Sequence, residues 1–178
     1  MFDKFTAMNI LKYEKIKAEF KPWTETYLLI AESLISLIRT EQLDVIHIGS
    51  TSAKVGGKGI IDLSVLYPVG KLSIAVEHLK LLGFQDQVSA KPFPVERPRK
   101  DGAVVYKGHK YFVHVHVIED GSEEHHKQLK YKQYMLANPL ARYEYEQSKQ
   151  AIIATGISEQ EAYGKLKSPF VKSVLQHL

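Results

Sequence analysis

Residues 46–67, IHIGSTSAKVGGKGIIDLSVLY, hold the residues best placed to do chemistry. A Gly-Ser pair, Gly49-Ser50, is followed by Thr51 and a turn rich in glycine and lysine. Then comes an apolar run, Ile60 to Leu66, with one carboxylate inside it, Asp62. A turn that leaves a strand through Gly-Ser exposes backbone N–H groups, lets a ligand approach the main chain closely and adds hydroxyl donors, which suits a phosphate. If the two apolar runs are neighbouring strands, Asp62 reaches the same edge. A carboxylate facing bound phosphates has a natural partner in a divalent cation with oxygen ligands, such as Mg²⁺. Lys58, in the same turn, can neutralise an anion, and Lys54 is a weaker candidate. Taken alone, Gly49-Ser50 would be an ordinary turn; the carboxylate twelve residues after Ser50 raises the stronger reading.

A second segment, YFVHVHVI from Tyr111, alternates strictly. Val113, Val115 and Val117 fall on one face, and His114 and His116 on the other. Imidazoles two residues apart on a strand point the same way, about 7 Å apart. Three readings are open. The pair can chelate a metal with Asp62 or His47 as a further ligand. One ring can act as a general base near neutral pH. Both can simply line a solvated sheet face. His125-His126 sit at a helix start and are expected to face water. Arg97, Arg99 and Lys100, in a segment with Pro92, Pro94 and Pro98, can fold over a ligand or be plain solvated surface. Lys127, Lys130, Lys132, Arg142 and Lys149 are interleaved with Tyr131, Tyr134, Tyr143 and Tyr145. That mixture can grip a base by stacking, although tyrosine at helical spacing more often packs.

These residues need a scaffold, and 178 residues suffice for one domain with a sizeable core. Apolar residues at 44% and charged residues at 25% are ordinary for a soluble globular chain, and the absence of cysteine removes disulfides and thiolate chemistry. No run approaches the roughly 20 apolar residues of a membrane helix, and Met1-Phe2-Asp3-Lys4-Phe5 is not a signal peptide, so a cytoplasmic protein is expected. The net charge of +4 suits anionic small molecules as well as nucleic acid and decides neither.

The periodicity predicts an arm over residues 1–21 and a helix from Thr24. Strands follow at Asp44–Ile48 and Ile60–Leu66, then a helix from Leu72 closed by Gly83 and a strand at Tyr111–Ile118. Ser122, capping Glu123 and Glu124, opens a helical C-terminal third. Asn138-Pro139 opens the next helix and Gly156 ends it. Ser158 and Glu161 form a capping-box pattern, and Ser168-Pro169 reads as the start of a last helix. The sum is one α/β domain: an arm (1–21), a mixed-sheet core (22–121) and a helical extension (122–178).

A Gly-Ser pair, a gap of about ten residues and an aspartate among apolar residues is the hallmark of the nucleotidyltransferase superfamily. Within it, HIGSTS followed by GKGIID resembles the GrpB family of small bacterial proteins. So do YEKIKAEFKPW near the start, LLGF at Leu81–Phe84, VHVHVIEDGSEEHHKQLKYKQYMLANPLARYEYEQSKQ and the C-terminal AYGKLKSPFVKSVL. The resemblance implies a nucleotidyltransferase-like mixed sheet with packed helices. It implies Gly49 and Ser50 as the phosphate cradle and Asp62 as the first metal-binding carboxylate. The superfamily's second carboxylate falls on Ser64, and its third on the strand carrying His114 and His116. The turn is about one residue shorter than the usual family form, and Lys54 stands where a proline is expected. Some family members are fused to dephospho-CoA kinase, which points to a coenzyme A-related ligand. Three functions stay open: a nucleotide-binding protein with nucleotidyl or phosphoryl transfer, a non-catalytic phosphate-binding module with a degenerate metal site, or a metal-dependent hydrolase using Asp62, His114 and His116.

Overall fold

The computed structural model describes residues 8–157, 160–176 and 178, with backbone alone for residues 160 and 161. In chain order the elements are α1 (Thr26–Ile38), β1 (Asp44–Ile48), α2 (Gly49–Ser52), β2 (Ile61–Tyr67), α3 (Leu72–Leu82), β3 (Gln85–Asp86), β4 (Arg99–Tyr106), β5 (His109–Glu119), α4 (Glu123–Ala137), α5 (Pro139–Ala154) and α6 (Gln160–Gln176). The strands form one mixed sheet in the order β1-β2-β5-β4-β3. β2 runs antiparallel to β1 and parallel to β5, and β4 is antiparallel to β5. The mixed-sheet α/β (α+β) class expected from the sequence is the one observed.

The register divides the sheet into two faces. Val45, Leu63, Val65, Val113, Val115 and Val117 pack with Ile30, Leu34 and Ile38 of α1 and with Ala75 and Leu79 of α3. β-branched and aliphatic residues at a spacing of two, set against helices with apolar stripes, bury this face completely. α3 ends at Gly83, whose φ of 105° makes the left-handed turn anticipated there.

The opposite face carries polar residues and is covered from two sides. The arm crosses one end: Leu11 pairs with Ala103, and Tyr13 and Ile16 pack on Ile60, Ala103 and Phe112. α4 and α5 cover the other end, where Met135, Ala141 and Tyr145 pack on Ala53 and Val55 just beyond the Gly-Ser turn, joined by Phe170 and Val171 of α6. Ser122 caps α4, its hydroxyl accepting from His125 N–H, and Asn138-Pro139 opens α5 as the sequence suggested. Asn138 adds no side-chain cap; its Nδ2 donates to Tyr134 O.

Two expectations are corrected. The last helix does not start at Ser168-Pro169: α6 runs from Gln160, with Pro169 inside it. Lys165 and Pro169 are exposed, so the carbonyl that loses its i+4 donor faces solvent, and the Ser168 hydroxyl donates to Gly164 O at 2.8 Å. His125 does not simply face water; its Nδ1 accepts from Gly121 N–H at 3.0 Å, while His126 is exposed. Ser158 of the capping-box pattern lies outside the described residues. No described helix is long and apolar enough to cross a membrane.

Candidate functional site

Sheet register alone assembles the centre of the polar face. Asp62 pairs with Ile48 on one side and His114 on the other, and Ser64 pairs with His116. Directly paired residues share a face, so Asp62, Ser64, His114 and His116 stand together. β4 extends the row, with Asp101 opposite His114 and Arg99 opposite His116. Arg99 holds the buried Asp101 through two hydrogen bonds of 2.8 and 3.0 Å. β1 leads straight into Gly49, whose φ of 72° turns the chain toward Asp62.

Asp62 is the hub. His114 Nδ1 lies 3.4 Å and His116 Nε2 3.7 Å from its Oδ1. Burial works against the charged form of Asp62, but the hydrogen bonds from His114 and His116 outweigh it and hold the carboxyl well below its usual range. His114 is buried, and desolvation lowers its basicity despite Asp62 beside it. Its Nε2 is 3.0 Å from the Tyr13 hydroxyl. A neutral ring satisfies both neighbours in one tautomer, with Nδ1–H facing the carboxylate and Nε2 accepting from Tyr13. Phe93, from the proline-bearing connection before β4, packs edge-on against His116 at 5.2 Å.

Not every predicted residue joins this group. His47 pairs with Leu63, which puts it on the opposite sheet face from Asp62; its Nε2 shares a 2.8 Å hydrogen bond with Thr51 Oγ1. The reading of His47 as a further ligand beside His114 and His116 is not met, because it lies on the other face. Thr51 is buried and bound to His47 and, through its carbonyl, to Trp23 Nε1 at 2.8 Å, so it braces the turn from behind. Lys54 is exposed and lies over the Trp23 ring.

Ser50 is engaged by a residue from α5. The Lys149 ammonium donates to Ser50 Oγ at 2.6 Å and to Gly56 O at 3.1 Å, and lies 4.1 Å from the centre of the Tyr145 ring. Lys149 is only 2% exposed. Burial, with the nearby charge of Lys167, pushes it well below an ordinary lysine. Lys58 is likewise lowered by burial and by Lys167, to about 7. Lys58 and Lys167 lie over the Tyr163 ring at 5.1 and 5.4 Å. Three ammonium groups thus converge behind the Gly-Ser turn. Lys149 carried a faint sequence signal as part of a Lys/Tyr mixture. Lys167 and Tyr163 carried none, because the contact joins segments about a hundred residues apart.

A cavity of about 420 Å³ opens in front of the turn. Its lining brings Gly49, Ser50, Asp62 and Lys167 together with Phe93, Tyr131, Tyr145, Ile118, Val171 and Leu175, and with Glu124, Lys127 and Gln128 of α4. Arg97 of the basic run also lines it.

The donor set does not fit a two-ion metal centre. Ser64 is fully buried and its hydroxyl donates to Gln128 Oε1 at 2.7 Å, so position 64 offers neither charge nor a free lone-pair face. Among the described residues, no three His, Asp or Glu side chains are grouped so as to hold a metal ion.

Known structures share the fold. The chain is 13% identical to Cid1 in complex with the UTP analogue UMPNPP, with a TM-score of 0.50 over 82% of this chain and 48% of that one. The GLD-2/RNP-8 complex gives 11% identity and a TM-score of 0.51 over 90% and 60%. The chain spans about half the length of these solved chains, and the likeness is one of fold: a nucleotidyltransferase-like sheet with packed helices. A UPF0157 protein of Streptomyces coelicolor is 28% identical over 153 residues, covering 85% of this chain and 77% of the relative. The model of the GrpB protein family matches residues 14–177, and the chain belongs to that family.

Proposed function

We propose that this chain binds a nucleotide or a coenzyme A-related molecule by its phosphates, on a nucleotidyltransferase-like sheet poorly equipped for transfer. The observation that carries the reading is the mixed lining of the 420 Å³ cavity. Gly49, Ser50, Arg97, Lys127 and Lys167 suit an anion, with Asp62 and Glu124 opposing, and Phe93, Tyr131, Tyr145 and the aliphatic residues suit a base or a pantetheine chain. Asp62 is the carboxylate that would face a divalent ion such as Mg²⁺ accompanying the phosphates. Without an acidic side chain at position 64, the bridging pair that two-ion transfer needs is missing. This favours a binding module over an active nucleotidyltransferase. The hydrolase reading is weaker still, since both nitrogens of His114 already have partners in Asp62 and Tyr13.

Thermal-shift titration with ATP, UTP, coenzyme A and dephospho-coenzyme A, beside their dephosphorylated counterparts, tests the reading. Saturable stabilisation by one of the phosphorylated set, absent with its dephosphorylated form, is expected. Stabilisation by none of them would remove it, and rapid nucleotidyl release from ATP would replace the module with an enzyme.

A further inference from the structure

Behind the Gly-Ser turn lies a second, narrow recess of about 30 Å³, which shares Ser50, Asp62 and Lys167 with the larger cavity. Lys58, Lys149, Tyr163 and Thr51 complete its polar lining, the Thr51 hydroxyl being held by His47. Among the described residues Asp62 is the only acid that lines it, and that carboxylate is already engaged by two imidazoles. Glu146, whose charge also acts on Lys149, accepts the Gly56 N–H. Three lysines therefore face one shared carboxylate in a largely dehydrated space, an arrangement that is costly until an anion enters. A second observation points the same way. The Tyr163 hydroxyl is buried and, among the described residues, has no hydrogen-bond partner. Buried hydroxyls are rarely left so unless something else supplies the acceptor.

Size sets what can enter. Space of about 10–15 Å³ holds one water-sized atom, so the recess takes roughly two or three. That suffices for terminal phosphoryl oxygens and not for a sugar or base, which must lie in the larger cavity.

Resting on the phosphate-binding reading above, we propose that Lys58, Lys149, Lys167 and Tyr163 capture the terminal phosphoryl group of the ligand and neutralise it in place of a divalent ion. The side chains supply what the missing carboxylate at position 64 would otherwise have recruited as metal charge. Because burial and the charge of Lys167 lower the Lys58 amine to about 7, an arriving phosphate draws a proton onto it, and binding takes up protons from solution.

Calorimetric titration of ATP and of inorganic tripolyphosphate, each in EDTA and in excess magnesium, tests this in buffers of different ionisation enthalpy. Expected are affinities in EDTA within about threefold of those in magnesium, proton uptake at pH 7.5 (set near neutrality), and roughly tenfold or greater weakening in Lys167→Gln, as for a lost charged hydrogen bond. Tyr163→Phe separates binding from folding. Its hydroxyl has no partner among the described residues, so the free protein keeps its melting temperature while tripolyphosphate binds more weakly. Binding that vanishes in EDTA would overturn the proposal while leaving the nucleotide reading intact, and unchanged affinity in Tyr163→Phe would overturn it too. Tripolyphosphate bound without any nucleotide or coenzyme A species would uphold the recess and remove the nucleotide reading. Neither bound would remove both.

Discussion

Gly49 stands against Asp62 so closely that a Cβ on the glycine would lie 2.8 Å from the carboxylate Oδ2 and 3.1 Å from the aspartate Cβ. The Gly-Ser pair and the distant aspartate are thus one construction. The turn can pass over the carboxylate only because the side chain is missing, and its φ of 72° excludes most other residues independently.

Gly49→Ala is accordingly expected to cost at least about 1–2 kcal/mol from the left-handed backbone alone. Displacement of Asp62 from His114 and His116 adds to this. Chemical denaturation of the variant measures the loss. A stability within a few tenths of wild type would mean that the turn relaxes without cost and that the contact constrains nothing.

Ser64 and Gln128 make the next case. Ser64→Asp replaces a buried donor with a carboxylate facing an amide oxygen and lying near Asp62, and the free protein should lose roughly 1–3 kcal/mol. With two carboxylates on one strand face, Mg²⁺ or Mn²⁺ should raise the variant's melting temperature well beyond any effect on wild type. Equal responses of the two proteins to metal would show that position 64 does not complete a cation site.

Much of this was legible because it is local or periodic. Val113, Val115 and Val117 declared a buried sheet face, so His114 and His116 had to share the other. Asp62 at the start of an apolar strand marked the polar centre. What escaped the sequence was long-range and singular. Lys149 meets Ser50 across 99 positions, Tyr13 meets His114 across 101, and Gln128 covers Ser64 across 64. No period or motif encodes such pairs. His47 misled because its position beside the Gly-Ser pair suggests the site, whereas its parity on β1 sends it to the other face. Pro169 misled because a Ser-Pro pair resembles a helix start even where an exposed turn tolerates it inside.

His47 also carries a pH prediction. Burial, together with the charge of Lys132, pushes it down to about 4, with Asp62 opposing. Between that value and its unfolded value near 6.5, the unfolded chain binds a proton that the native ring refuses. Stability is therefore full above pH 6.5 and falls as the pH drops toward 4, by about 3 kcal/mol in all from this group. Urea unfolding at several pH values should show the slope, and His47→Gln should flatten it. A slope unaltered in the variant would assign the acid sensitivity elsewhere.

The last prediction concerns the Lys58 amine. At pH 7 an ordinary exposed lysine is free base in only about one molecule in several thousand. Lys58, lowered to about 7 by burial and by Lys167, with Asp62 opposing, is free base in about half. A limiting acylating reagent, followed by peptide mass spectrometry, should modify Lys58 with a pH profile centred near 7. A lysine in a short unstructured peptide should instead gain reactivity steadily to higher pH. Tripolyphosphate should suppress the Lys58 reaction, because a phosphoryl group held there protonates the amine and covers it. A Lys58 profile parallel to that of the peptide would mean that the ammonium is solvated, and the crowding of three cations behind the turn would lose its chemical consequence.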